Sequence, residues 1–321
     1  MPFGEVKMKN IIKCDGINKS FFENKILSGF NFTMSEGDIS GVLGLNGAGK
    51  TTLVRILSGI LKQDEGEVEI FGLRYENNEK KIKSKIGVVL GGDRSLYYKL
   101  TAKENLVFFA TLYDIDKKKI DSRAEYVLDR VGLTDKRDEL VETFSKGMKQ
   151  RLLIAKALMT EPKLLIMDEP TSGLDIAGQF QVRTLIKELN AVDGVSVLLF
   201  THSLPEADEV CQKINILHKG KLIDPLVLER SARDVNLDKK YTIICDKRID
   251  KRMMEDTYGF RIREEVRVSN GFQYTFYGCR KESAMNVEKK ISKDACISSI
   301  TISDLELEDY LYIQFKDLEE E

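Results

Sequence analysis

The chain has 321 residues, room for about two domains at roughly 150 residues each. Its 50 Lys and Arg against 52 Asp and Glu leave a formal charge of −2 spread along the chain, which excludes the strongly basic footprint of a dedicated nucleic-acid binder. The 42% hydrophobic fraction and five prolines exclude a disordered or collagen-like chain, and the five scattered cysteines and two histidines offer neither a disulfide framework nor a His-rich metal centre. No apolar run approaches the roughly 18 residues of a membrane-spanning helix.

The opening residues Met1 to Lys7 lack a charged segment followed by a long apolar stretch, which predicts residence in the cytoplasm. From about residue 10 to residue 224, short β-branched runs alternate with helical patterns, the mark of an α/β sheet built from crossover units. The run 39–43 predicts a buried strand followed by a helix over 50–61, and 86–90, 163–167 and 195–200 are further near-continuous apolar runs of the parallel-strand kind. Apolar residues at three- and four-residue intervals predict helices over 102–113, 118–131 and 149–159, within a helical subdomain at about 92–162. The expected first domain is 1–228 and the second 229–321. In the second, strands at 241–245, 265–269, 272–277 and 296–302 and helices at 251–258, 282–292 and 305–315 predict a small α+β domain of βαββαβ order, with Asn270-Gly271 as a hairpin link.

Gly44-Leu45-Asn46-Gly47-Ala48-Gly49-Lys50-Thr51-Thr52 follows the first apolar run and opens a helix, the context of a Walker A phosphate loop. Its glycines let successive N–H groups turn inward on phosphate, and the helix adds its positive N-terminal end. Lys50 is expected at the β- and γ-phosphates and the Thr51 hydroxyl on Mg²⁺. Further on, 118 residues after Lys50, Leu164-Leu165-Ile166-Met167 ends in Asp168-Glu169. Four buried apolar residues ahead of two carboxylates place those charges at the carboxyl end of a strand, where open α/β sheets bind ligands. Asp168 suits the Mg²⁺ shell, and Glu169 suits polarisation of the water that attacks the γ-phosphate.

Phe144-Ser145-Lys146-Gly147-Met148-Lys149-Gln150-Arg151 puts Ser145 23 residues before Asp168. Alone, Ser-x-Gly ahead of a helix is an ordinary N-cap. Beside the two sites above, the sequence resembles the ATP-binding-cassette family, whose signature is usually Leu-Ser-Gly-Gly-Gln. Ser145 and Gly147 match it, while Lys146 replaces the first glycine and Met148 the glutamine. Ser172-Gly173-Leu174-Asp175 is similar to the family's D-loop, and Thr201-His202, after the run 195–200, to its switch histidine. Phe21, with Phe22 competing for the role, stands where members stack an aromatic ring on adenine. The resemblance covers roughly residues 9–224 in family order. Where most members carry the Q-loop glutamine this chain has Gly91-Gly92-Asp93-Arg94, so either Asp93 substitutes at the metal or the loop is mainly a flexible joint. The stretch 96–106 is similar to the subgroup that energises ABC-2-type exporters.

The resemblance implies the P-loop NTPase cassette fold, ATP and Mg²⁺ as ligands, and a Mg-dependent ATPase with Glu169 and His202 at the reaction. Nucleotide binding falls to Phe21, Gly44, Asn46, Gly47, Ala48, Gly49, Lys50, Thr51, Thr52 and Asp168. It implies an ATP-dependent homodimer or paired cassette, in which Ser145, Gly147 and Met148 of one subunit close on the nucleotide of the other and Asp175 belongs to the D-loop. It further implies a separate transmembrane permease, no direct nucleic-acid partner, and a cytoplasmic protein peripheral at the inner face of the membrane, powering export. The alternative is a soluble, non-transport cassette ATPase of translation or nucleic acids. Ribosomal cassettes usually come two to a chain, whereas one Walker A pattern occurs here, and the 95 residues from Lys50 to Ser145 leave no space for the long coiled coil of a chromosome ATPase. A GTP-driven switch needs Asn-Lys-x-Asp, which neither Asn18-Lys19 nor Asn24-Lys25 completes. For the C-terminal domain, regulation of the ATPase, support of the dimer and inert stabilisation all stay open.

Overall fold

In the computed structural model, which describes residues 9–90, 95–223, 237, 239–257, 259–269, 271–278, 284–291, 295–305, 309–310 and 312–313, the long strands β1 (Asn10–Phe21) and β2 (Asn24–Ser35) pair antiparallel. They are followed by β3 (Ile39–Leu43), α1 (Lys50–Leu57), β4 (Glu65–Ile70), β5 (Leu73–Arg74), α2 (Tyr75–Lys83) and β6 (Ile86–Val89). Three helices come next, α3 (Ala102–Leu112), α4 (Lys117–Arg130) and α5 (Lys146–Leu158). Then follow β7 (Leu164–Asp168), α6 (Ile176–Ala191), β8 (Ser196–Thr201), α7 (Leu204–Val210), β9 (Lys213–His218) and β10 (Lys221–Ile223). The chain divides into two compact units, Met1–Ile223 and Asp224–Glu321. The boundary expected at residue 228 lies outside the described residues.

The first unit holds a six-stranded sheet of order β10-β9-β3-β8-β7-β6. β9, β3, β8, β7 and β6 run parallel, and β10 returns antiparallel through Lys219-Gly220. Both turn residues have positive φ, 43° and 77°, as a two-residue link between twisted strands requires. The continuous apolar runs of β7 and β8 follow from cover on both faces. Leu165, Met167, Val197 and Leu199 join the helices α3, α4, α5 and α6 in one core, whereas Leu164, Ile166, Leu198 and Phe200 join α1 and the N-terminal strands in another.

Those N-terminal strands correct the expectation of crossover units throughout: β2-β1-β4-β5 form a separate antiparallel sheet. Its strands cover one face only, with Ile12, Cys14 and Ile17 of β1 and Leu27, Phe30, Phe32 and Met34 of β2 buried against α1. Helix α1 also ends four residues before the expected 61. Gly59, at φ 67°, turns the chain, and the N–H groups of Gly59 and Ile60 bond the carbonyls of Ile56 and Arg55, closing a Schellman cap.

The helical insert is fixed at its start by Thr101, whose hydroxyl accepts the Glu104 N–H at 3.1 Å while the Glu104 carboxylate accepts the Thr101 N–H at 2.8 Å. Below this box sits Asn105, fully buried. Its Oδ1 accepts the Tyr97 N–H at 2.8 Å, and its Nδ2 donates to the carbonyls of Tyr97 and Thr101 at 2.9 Å each.

The second unit contains β11 (Lys239–Cys245), a short π-helical turn at Met253–Thr257, β12 (Arg261–Val268), β13 (Gly271–Gly278), α8 (Ala284–Ile291) and β14 (Ile297–Asp304). Its strands form an antiparallel sheet of order β12-β13-β11-β14, the split-βαβ arrangement expected from the element order. The hairpin closes one residue earlier than expected, since Val268 pairs with Gly271. Asn270 lies outside the described residues. At Gly271, with φ 142°, a Cβ would fall 1.9 Å from the Cys245 carbonyl oxygen. Of the helix expected at 305–315, Asp309, Tyr310, Tyr312 and Ile313 are described and helical.

Replacing Asn105 by Leu removes the acceptor of the Tyr97 N–H and one of the two donors on each of the Tyr97 and Thr101 carbonyls, which keep the N–H groups of Leu100 and of residue 105. It is expected to lower stability by about 1–3 kcal/mol, read as a fall in the urea midpoint of the full chain; an unchanged midpoint would contradict the role assigned to this amide.

Candidate active site

Three loops meet at one edge because β3, β8 and β7 are parallel neighbours whose carboxyl ends point the same way. After β3 the chain curls through Gly47, at φ 84°, into Gly49, the N-cap of α1 at φ 108°. That cap has no side-chain acceptor, and the first turn of α1 has no acidic residue. Its leading N–H groups are therefore left for an outside anion. A Cβ at Gly49 would lie 3.1 Å from both the Ile26 carbonyl oxygen and Leu27 Cδ2. Behind the loop, the Gly220 N–H donates to the Ala48 carbonyl and the Ser28 N–H to the Gly220 carbonyl, each at 3.1 Å. A Cβ at Gly220 would lie 2.1 Å from the Ile26 carbonyl oxygen, so three backbone segments touch there directly.

The loop opens on a cavity of about 260 Å³ lined by Ile26, Leu45, Asn46, Gly47, Gly49, Lys50, Thr51, Thr52, Asp168 and Glu169. Lys50 is 6% exposed. Its Nζ donates to the carbonyls of Gly44 at 2.5 Å and Leu45 at 3.2 Å and lies 3.3 Å from Glu169 Oε1. Thr51 donates its hydroxyl to Asp168 Oδ2 at 3.1 Å. Burial raises the pKa of Asp168, opposed by that hydrogen bond. Asp168 Oδ1 is buried with no hydrogen-bond partner among the described residues. A buried carboxylate oxygen without a donor is costly unless a cation meets it. The hard oxygens of Thr51 and Asp168 fit Mg²⁺, which usually binds through one or two protein ligands, with phosphate and water completing the shell.

Glu169 leaves β7 with φ 51°, a left-handed backbone that disfavours a residue with a Cβ. Its N–H donates to the Phe200 carbonyl at 2.8 Å, which pins the reversed peptide to β8. The carboxylate spans two partners: Oε1 faces Lys50, and Oε2 lies 2.7 Å from Nδ1 of the half-exposed His202. A carboxylate fixed on two sides and 20% exposed is well placed to orient a water at the mouth of the cavity. Sequence reasoning did not single out Ile26 or Leu45, since an apolar residue beside a loop carries no motif of its own. It also passed over Glu206 of α7, which is buried and accepts the hydroxyls of Thr171 and Thr201.

Several expected residues lie elsewhere. Phe21 ends β1, 41% exposed and outside the cavity lining, with Lys19 Nζ 5.5 Å from its ring centroid; Phe22 in the following turn is fully exposed. Ser145 is the N-cap of α5, and its hydroxyl accepts the Met148 N–H at 3.2 Å. This cap starts the helix at Lys146, three residues before the expected 149. Asp175 caps α6 by accepting the Gly178 N–H at 3.0 Å. The signature and D-loop segments adjoin one another, for a Cβ at Gly147 would sit 3.7 Å from Gly178 Cα and one at Gly173 would sit 2.2 Å from Lys146 Nζ. Ser145, Gly147, Met148 and Asp175 are all absent from the cavity lining. Residues 91–94, where the Q-loop glutamine is replaced, lie outside the described residues.

Comparison with known proteins agrees with this geometry. The family model described as ABC transporter matches residues 27–172. The bacitracin transport ATP-binding protein BcrA of Bacillus licheniformis is 35% identical over 311 residues, covering 94% of this chain and 96% of that protein. Among solved structures, cbiO1 from Clostridium perfringens, described as part of the ABC transporter complex cbiONQ, superposes with a TM-score of 0.63 at 27% identity, covering 71% of this chain and 94% of that one. The ATP-binding cassette MJ0796, solved as a post-hydrolysis dimer bound to ADP and Pi, superposes with a TM-score of 0.59 at 28% identity, covering 66% of this chain and 97% of that one. With its phosphate loop, its paired carboxylates after β7 and this likeness along nearly its whole length, the chain belongs to the ABC transporter family, as an ATP-binding and ATP-hydrolysing subunit.

Proposed function

We propose that this chain powers export through a separate transmembrane partner by closing two ATP-bound cassettes on one another. One observation carries the reading: Ser145, Gly147 and Met148 stand away from the cavity that holds Lys50, Asp168 and Glu169, so the site of one chain is completed by another copy or a paired cassette. Supporting it, large apolar side chains are exposed beside the loops concerned, with Leu45 46%, Ile176 84% and Phe180 59% accessible. Ile176 and Phe180 are four residues apart on α6 and so share a face. The dimeric cassette among the structural neighbours is consistent with this pairing. Among the described residues no helix is long and apolar enough to cross a membrane, so the membrane-spanning part is assigned to a different chain. The near full-length likeness to a bacitracin transport ATP-binding protein supports the transport reading, and with it a position peripheral at the inner face of the cell membrane.

In this mechanism the phosphates of ATP lie against the N–H groups at the start of α1, and Lys50 turns from the Gly44 carbonyl to the phosphate oxygens. Asp168 and Thr51 would hold Mg²⁺, which when bound would supply neutralising charge to the phosphates. Glu169 accepts a proton from the attacking water, and His202 holds the carboxylate in place through Nδ1. The free N–H groups at the start of α5 of the second cassette face the γ-phosphate. Cleavage removes that contact, and the pair opens because ATP and ADP bind the closed state unequally.

Glu169→Gln is expected to bind MgATP, lose about 100-fold or more in turnover, and accumulate as a nucleotide-bound dimer in size-exclusion chromatography. Parental turnover would remove Glu169 from the role given to it. Lys50→Ala is expected to weaken ATP binding by about 10- to 100-fold, measured by fluorescent-nucleotide titration, since the phosphates lose a charge-assisted donor. Isolation of the tagged chain from solubilised membranes is expected to retain a multi-span companion; recovery with ribosomes instead would favour a soluble cassette ATPase.

A further inference from the structure

Glu206 is 1% exposed, and its carboxylate divides between two hydroxyls: Oε1 accepts from Thr171 at 2.7 Å and Oε2 from Thr201 at 2.5 Å. Thr171 stands two residues after Glu169, and Thr201 immediately precedes His202. The sequence offers a plainer explanation, since Ser203-Leu204-Pro205-Glu206 has the spacing of a capping box, in which the glutamate would accept the Ser203 N–H. Half of that box is present, with Ser203 Oγ accepting the Glu206 N–H at 3.4 Å. The other half is not: the Ser203 N–H goes to Thr201 Oγ1 at 3.0 Å, leaving the carboxylate turned inward.

A capping glutamate can stay in water, whereas this one is desolvated and bonded to two neutral hydroxyls, with the charge of Arg183 a weaker attraction. Burial raises its pKa, and the two hydroxyl bonds oppose the rise. Such a placement is unfavourable unless both oxygens are bonded. Each bond fixes a segment that carries a reacting side chain.

We infer that Glu206 is a positioning residue of the ATPase, tying the segment after Glu169 to the segment before His202 and so holding their 2.7 Å contact in register. The inference rests on the reading of Glu169 and His202 as the reacting pair. Glutamine at this position has one acceptor oxygen and an amino group that only donates. One threonine hydroxyl must then reverse and its proton loses the carboxylate; if it is Thr201, it accepts from both the glutamine and Ser203.

The test is steady-state MgATP hydrolysis by the full-length chain carrying Glu206→Gln, Thr171→Val, Thr201→Val or each pair, with Glu169→Gln in parallel and rates expressed per bound nucleotide. Glu206→Gln is expected to lower kcat about 10-fold or more, with KM changed less than about twofold, because misplacement of reacting groups acts on the chemical step. Each threonine variant is expected to lower kcat about 3- to 10-fold alone and less than about threefold on top of Glu206→Gln, since both act through the same carboxylate. A merely structural role would lower the melting temperature and the yield of binding-competent protein while leaving kcat per bound nucleotide at the parental value. That result in Glu206→Gln, or in both threonine variants should the glutamine variant not fold, overturns the inference while leaving the active-site reading intact. Glu169→Gln hydrolysing at the parental rate overturns the reading of the reacting pair and the inference with it.

Discussion

A buried ammonium must find acceptors within hydrogen-bonding reach, and at Lys50 those acceptors are two carbonyls of its own loop and the carboxylate of Glu169 across the cavity. This single contact links the loop after β3 to the loop after β7, whose strands are separated by β8. It also sets the chemistry. In the proposed mechanism, arrival of an anion at Lys50 would free Glu169 Oε1 for water while Oε2 keeps its contact with His202. Asp168 adds the complementary deficit, a buried oxygen lacking a donor, on the side where a hard cation would stand.

How much of this was legible in the sequence differs by element, and the reason is the kind of burial each undergoes. Strands β3, β7 and β8 are covered on both faces, so their apolar runs read directly as strands, and the carboxylates at the end of β7 read as a site. Strands β1 and β2 bury one face and expose polar side chains on the other, so they lack continuous runs, and their antiparallel sheet went unrecognised. Helix ends were governed by single residues: Gly59 shortened α1, and the Ser145 hydroxyl started α5 early. The phosphate loop, Asp168, Glu169 and His202 were named because a motif fixes both identity and place. Ile26 reaches the cavity by tertiary packing alone, and Glu206 was hidden by a local pattern that explains it adequately until the direction of its carboxylate is known.

The departures at the signature also acquire a physical sense. Lys146 stands where a glycine is usual, and its ammonium lies over Gly173, whose missing side chain makes the room. The substitution is thus accommodated within the chain's own D-loop, and the Ser145 cap and the free N–H groups of α5 are kept. Met148, where a glutamine is usual, is partly buried and packs against the apolar core of the helices.

Where the phosphate loop, β2 and the turn between β9 and β10 meet, Gly220 lies main chain against main chain with β2, and Gly49 lies against both the Ile26 carbonyl and the Leu27 side chain. Side chains can yield by changing rotamer, whereas peptides joined by hydrogen bonds move together. The antiparallel sheet is therefore tied to the phosphate loop through the backbone bonds of Gly220, so a tilt of β2 is expected to carry to the curl at residue 49. In a motor that converts cleavage of one bond into movement, such a joint lets motion begin at the first displacement rather than after play has been taken up.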